Sequence, residues 1–355
     1  MKKKEFKEIF LPAIGQGCGG NDVCEDSHRI KVIQHGIELG MTLIDTAESY
    51  RNGHSEKIVG KAISGKRDRV FICTKFSPEH HSYNDIIKSL DGSLRRLETD
   101  YVDLYQIHWP NPSVPIEETM RALNELQEKG KIRYIGVSNF SLREFDEANE
   151  LCPEGIFSNQ LEYNLFERCI EGDFLPFSER REILTIAYNP LLRGQRGQEL
   201  LSALSYKYDK NVCQIILNWI VSHKSVVPIP KTLNLKHLKE NAFSSDFSLD
   251  EEDIDAIDRI FKSEVFQLPT QNVCVIPSDK EIVYVTLEEA LENSLRLKPS
   301  PIELAAYLSK YEILKPIRVK KNKDGLYDLV QGRIRYWAWI IAYGSDLPIP
   351  AIMHE

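Results

Sequence analysis

No apolar run in the 355-residue sequence reaches the roughly 18 residues that a membrane-spanning helix needs. The N-terminus, MKKKEFKEIF, is basic but lacks the apolar stretch of a secretory signal, so the cytoplasm is the expected location. Cysteine is sparse and unpatterned: Cys18, Cys24, Cys73, Cys152, Cys169, Cys213 and Cys274 are odd in number and include no CxxC pair. That fits reduced thiols better than a disulfide framework or a zinc site, and no metal is expected. Excess positive charge is missing too. The net charge is −8, and residues 281–355 are neutral, with ten Lys/Arg against ten Asp/Glu. Nucleic acid is therefore an unexpected main partner. There is no low-complexity tract and no internal repeat. Hydrophobic residues at 42% and charged residues at 28% describe an ordinary globular protein.

What is present is an alternation. Short apolar, β-branched runs recur: MTLIDT (41–46), VFICTK (70–75), VDLYQIH (102–108), YIGVSN (134–139), GIFSNQ (155–160), LTIAYNP (184–190) and SVVPIP (225–230). Amphipathic segments such as HRIKVIQHGIELG (28–40) and IEETMRALNELQEKG (116–130) separate them. Strand–helix alternation of this kind implies parallel βαβ units. With AIGQGCGG (13–20) as a first strand, the count reaches eight and predicts a (β/α)8 barrel. A doubly wound open sheet is the rival, but Gly15, Gly17, Gly19 and Gly20 do not fit the G-x-G-x-x-G phosphate loop expected there. The barrel is expected over 1–262 and a linker over 263–280. A second, small α+β domain over 281–355 completes the chain.

Asp45, Lys75 and His108 each close one of the apolar runs, and Tyr50 lies just behind Asp45. Strand ends of a parallel barrel open onto one face, so an acid, a phenol, an amine and an imidazole are expected to converge there. A cation near Tyr50 would lower its pKa, and Lys75 can be that cation, held by Asp45. His108 can donate a hydrogen bond to a carbonyl oxygen. Together the four can polarise a carbonyl and deliver a proton to it. They supply no hydride, so a nicotinamide cofactor is required. Taken singly, each has a simpler reading: Asp45 as a turn or cap residue, Lys75 as a solvated amine, His108 as a packed ring.

Across about residues 8–261 the sequence resembles the aldo-keto reductase family. The segments are GMTLIDTAESYRNGHSEKIVGKAI (40–63), DRVFICTKF (68–76), SLRRLETDYVDLYQIHWP (93–110), GKIRYIGVSNFS (130–141), NQLEYN (159–164), AYNPL (187–191) and IPKTLNLKHLKEN (229–241). The resemblance implies Asp45, Tyr50, Lys75 and His108 as a catalytic tetrad, with Tyr50 as proton donor. It also implies NADPH as cofactor, with NADH as the alternative. Ser138, Asn139 and Gln160 would hold the nicotinamide carboxamide, and Tyr188 would stack on the ring, with Leu191 nearby. Lys231 and Thr232 would hold the adenosine phosphate, and Glu240 and Asn241 the adenine. Two positions depart from the family pattern. Asn189 stands where serine is usual, and His237 stands where the family has an arginine for the 2′-phosphate. Trp109 is expected to wall the pocket for a small carbonyl or alcohol substrate. The barrel ends before the loops that usually complete that wall, so the following segment is expected to replace them.

The last seventy-five residues resemble the ParB/sulfiredoxin-like fold. The match lies in ELAAYLSKYEILKPIRV, DGLYDLVQGRIRYWAW and IPAIM. In that fold a Gly-x-x-Arg turn contacts nucleotide phosphate, which implies an anion or nucleotide site at Gly332, Arg333 and Arg335. A helix N-terminus with two arginines suits an anion. The simpler reading is a turn glycine with solvated arginines. Three functions follow as expectations. The first is an NADPH-dependent carbonyl reductase. The second is an NADPH-binding sensor whose tail contacts a nucleotide or protein. The third is a bifunctional enzyme whose tail uses ATP or CTP.

Overall fold

The computed structural model describes residues 1–20, 22, 24–191, 194, 196–262, 264–277, 283–295, 299–308 and 315–354. The chain divides into two compact units: Met1–Pro110 with Val114–Phe261, and Lys262–Glu355 with Asn111–Ser113. The boundary expected at residue 281 lies outside the described residues.

The first unit opens with an antiparallel hairpin absent from the sequence expectations, β1 (Lys3–Phe6) and β2 (Ile9–Pro12). It turns at Lys7 and Glu8, both at positive φ. Eight parallel strands follow: β3 (Gln16–Gly17), β4 (Leu43–Asp45), β5 (Phe71–Phe76), β6 (Val102–Ile107), β7 (Ile132–Ser138), β8 (Ser158–Glu162), β9 (Leu184–Tyr188) and β10 (Val226–Pro228). They pair in chain order, β3 to β10. Closure comes from two backbone bonds across the seam: Gly15 N donates to Pro228 O at 2.9 Å and Gly17 N to Pro230 O at 3.3 Å. This is a (β/α)8 barrel. The first strand is only two residues long, against the eight expected. β8 begins three residues later than the apolar run at 155–160 suggested, since the ladder needs Ser158 opposite Gly136.

Inside the barrel the side chains stand in layers. Leu43, Cys73, Leu104, Ile186 and Val227 form an apolar layer, with Leu184 one alternation nearer the start of its strand, and Phe6 and Leu11 of the hairpin belong to the same cluster. Strand side chains alternate with period two, so two residues further on each strand points inward again, nearer the C-terminal face. Those positions are polar: Asp45, Lys75 and, on neighbouring strands, Ser138, Gln160 and Tyr188. Gly136 lies in the crowded interior. A Cβ there would sit 2.5 Å from Ser158 Oγ and 2.9 Å from Gln106 Cγ, so no side chain fits without displacing both.

The helices follow from amphipathic spacing. In helix Tyr83–Leu97 the buried Ile86, Leu90, Leu94 and Leu97 recur at three and four residues. Ser82 caps its start by accepting from Asp85 N, and Glu98 closes it in the left-handed region. Each such leucine, fully buried, contributes about 1.5–3 kcal/mol.

The second unit is a five-stranded mixed sheet. Its strands are β11 (Phe266–Leu268), β12 (Val273–Cys274), β13 (Ile317–Lys321), β14 (Tyr327–Gln331) and β15 (Ile349–Met353), ordered β11-β15-β13-β14-β12. Helices Leu287–Glu292, Pro301–Leu308 and Arg333–Tyr343 accompany it. This corrects the expected linker over 263–280, because both edge strands of the sheet come from that segment. Leu268 and Val273 are buried in the same core as Tyr284, Ile317, Leu329, Trp337 and Ile349. Two short strands of irregular period give no legible alternation, which is why they read as a connection. Thr286 with Glu289 forms a reciprocal cap, and Ser300 with Glu303 repeats the arrangement. Among the described residues no helix is long and apolar enough to cross a membrane.

Candidate active site

Lys75 and Asp45 face each other from adjacent strands β5 and β4. Lys75 Nζ donates to Asp45 Oδ1 at 2.7 Å, to Oδ2 at 2.8 Å and to Thr46 O at 2.8 Å. Both side chains are buried, Lys75 fully. A buried ammonium is tolerable only with such partners. Burial alone would lower the Lys75 pKa. Asp45 and Tyr50 outweigh it, so the ammonium is held above its ordinary value.

Tyr50 lies in the turn after β4, with Lys75 Nζ 5.1 Å from the centre of its ring. Its ring meets His108 edge-on at a centroid distance of 5.6 Å. The direction of its pKa differs from the sequence expectation. Burial pushes the phenol up, and that effect exceeds the downward pull of Lys75. Tyr50 is thus a protonated phenol at neutral pH, with a cation in place to stabilise the phenolate once the proton leaves.

His108 follows β6 directly. Burial, then the Lys75 charge, lowers its pKa to about 3, so the imidazole is neutral. Its Nδ1 lies 3.4 Å from Ser49 Oγ, which leaves Nε2 for a further partner. A neutral ring of this kind donates one hydrogen bond.

Ser138, Asn139, Gln160 and Tyr188 join this group. Gln160 Nε2 donates to Asp45 Oδ1 at 2.8 Å. Asn139, at φ +63, donates from Nδ2 to His108 O at 3.1 Å and to Ser138 Oγ at 3.0 Å. Tyr188 Oη donates to Asn139 Oδ1 at 2.8 Å, and Ser138 Oγ to Gln160 O at 3.0 Å. Residues expected on the cofactor therefore also position Asp45 and the His108 backbone. Sequence reasoning assigned them separately; only the register of β4, β7, β8 and β9 ties them together.

The outer residues gather less tightly. Lys231 pairs with Asp22 and, with Thr232, borders a cleft lined from β3, the turn at Arg51 and three helices, Asp26–Glu38, His54–Ile63 and Leu235–Ala242. Glu240 and Asn241 lie on helix Leu235–Ala242, Asn241 buried; His237 on the same helix is exposed. Leu191 packs against the cluster that includes Leu217 and Leu238. Trp109 is exposed beside His108. In the second unit, Gly332 has φ +100 and starts helix Arg333–Tyr343. Arg335 Nη1 donates to Lys315 O and, at 3.0 Å, to Pro316 O, while Arg333 Nη1 donates to Val330 O at 3.1 Å. The two guanidinium groups are thus neither simply solvated nor directed together at one anion site.

Comparison with known proteins agrees with this geometry. The pattern of the aldo/keto reductase family matches residues 14–262. The chain is 36% identical over 264 residues to the methylglyoxal reductase YeaE of Escherichia coli, covering 72% of this chain and 92% of that protein. It is 35% identical over 261 residues to the glyoxal reductase of Bacillus subtilis, covering 72% and 91%. An aldo/keto reductase from Klebsiella pneumoniae, solved with NADP and acetate, superposes with a TM-score of 0.69 at 33% identity, covering 73% of this chain and 95% of that one. A closed barrel with Asp45, Tyr50, Lys75 and His108 at its C-terminal face, matched over this length, makes the chain a member of the aldo/keto reductase family.

Proposed function

We propose that the chain is an NADPH-dependent reductase of small carbonyl compounds. NADPH, when bound, supplies the hydride. The chain's own residues supply the proton and the positioning. Tyr50 donates its phenolic proton to the carbonyl oxygen as that oxygen gains charge. Lys75, fixed by Asp45 and Thr46 O, stabilises the phenolate that remains. His108 orients the carbonyl through its neutral ring. The single observation that carries this reading is the buried Lys75–Asp45 pair beside a protonated Tyr50.

The residues present fit the cofactor. Ser138, Asn139, Gln160 and Tyr188 form a polar rim at the barrel mouth, and Lys231 and Thr232 border a cationic cleft. The named activities of two relatives point to methylglyoxal and glyoxal, and we take small dicarbonyls as the substrate class. NADPH oxidation with methylglyoxal should be measurable in the purified chain. In Tyr50→Phe it should fall about 10²–10⁴-fold while NADPH still binds. Tight NADPH binding with no turnover on aldehydes, ketones or dicarbonyls would favour the sensor instead.

We further infer that the second unit is a ParB-like domain. What supports this is the hairpin β13–β14, the glycine-initiated helix after it, and β15 returning parallel to β13. A nucleotide phosphate at the Gly332 turn would require Arg335 to leave the carbonyls of residues 315 and 316.

A further inference from the structure

The cleft beside Lys231 holds cations that the reductase pattern does not account for. Arg29 of helix Asp26–Glu38 and Arg51, next to Tyr50, line it together with Lys231 and Thr232. Arg29 is only 6% exposed. One of its Nη atoms donates to Asp22 O. Its Nε, and Nη1 of Arg51, are buried with no hydrogen-bond partner among the described residues. The side chains lining the cleft include these three cations and no acid; just outside it, Asp22 engages Lys231, and Asp26, paired with His54, lies near Arg51. Buried guanidinium N–H groups left without acceptors, close to a further like charge, are unfavourable unless an anion joins them.

We propose that Arg29 and Arg51 form, with Lys231 and Thr232, a phosphate-binding site that recognises the cofactor's 2′-phosphate. This rests on the NADPH reading above. It also answers the departure at position 237, where the family's phosphate-binding arginine is replaced by an exposed histidine. In this reading the missing guanidinium is supplied by other elements, the first barrel helix and the turn that carries Tyr50. Two guanidinium forks offer several N–H donors to a tetrahedral oxyanion, a geometry that an ammonium cannot reproduce.

The test is calorimetric, on the full-length protein, with 2′,5′-ADP, 5′-ADP, NADPH, NADH and inorganic phosphate. The unaltered chain should bind 2′,5′-ADP at least tenfold more tightly than 5′-ADP. Arg51→Gln and Arg29→Gln should each weaken 2′,5′-ADP and NADPH about tenfold and change NADH less than twofold. Arg51→Gln is the safer variant, because Arg29 also holds a backbone carbonyl; circular dichroism should show both folded. Inorganic phosphate that binds in an Arg51-dependent way but does not compete with NADPH would keep the phosphate site and reassign it to a free phosphate. Equal loss for NADH and NADPH, or no loss in either variant, would overturn the proposal while leaving the reductase reading intact. Failure of every dinucleotide to bind would instead sink the NADPH reading.

Discussion

The two units treat charge in opposite ways. The barrel buries charge against charge: Lys75 against Asp45, and Arg96 against Glu56, which also accepts from Thr74. The second unit turns charge toward its own backbone, with Arg335 on the carbonyls of residues 315 and 316 and Arg333 on that of residue 330. Its interior is held by aromatic groups whose polar tips find carbonyls: Trp337 Nε1 donates to Tyr284 O at 3.0 Å and Tyr336 Oη to Thr270 O at 3.3 Å. Paired buried charges cost desolvation and give little net stability. Of the barrel's pairs, Lys75–Asp45 stands at the mouth, where that cost is met by a use.

The sharpest way to break this contrast is to remove one partner of the barrel pair. Lys75→Met leaves the Asp45 carboxylate buried without its cation. Urea denaturation should show a loss of about 3–5 kcal/mol, and NADPH turnover should vanish. A loss well below 1 kcal/mol would mean that the pair is screened and not functionally strained. Arg335→Ala in the second unit removes a donor and leaves two backbone acceptors. It should cost about 1–3 kcal/mol, read from the same kind of denaturation curve. A cost equal to that of Lys75→Met would erase the distinction.

Acidification sharpens the contrast at its smallest. His108, about 3, and His81, about 4, are held below the ordinary imidazole value by burial. The unfolded chain therefore binds protons that the folded chain refuses. Their burial leaves stability untouched above about pH 6.5 and lowers it progressively as pH falls toward those values. His108→Gln should flatten the decline in melting temperature across that window. An unchanged slope would show that His108 is protonated in the folded state at a higher pH than its burial implies.

Much of this was legible in the sequence, for physical reasons that differ by residue. Apolar runs ending in Asp45, Lys75 and His108 expose both the strands and the face that they open onto, because a parallel strand buried on both sides must be apolar until it reaches the mouth. The cap at Thr286 and the turn at Gly325 are local and equally readable. The Gln160–Asp45 bond was hidden, since it depends on register across several strands. So was the net direction at Tyr50, where burial, a property of the whole fold, outweighs a neighbour that sequence can name. The edge strands at 266–268 and 273–274 were too short to carry a period. Arg51 stood in plain view beside Tyr50, but nothing local tells a half-buried arginine from a solvated one.

The seam of the barrel has a kinetic consequence. Gly15 and Gly17 find their acceptors only at Pro228 and Pro230, nearly the whole first unit away in sequence. Contacts so distant must wait for that loop of chain to be closed, and they delay folding more than local ones do. During synthesis the opening strand has no partner on one edge until the last barrel strand has emerged. The hairpin β1–β2 is formed from neighbours and can assemble early. Once β4 has emerged to pair with β3, the exposed edge of β3 remains the segment most open to wrong pairing until Pro228 arrives.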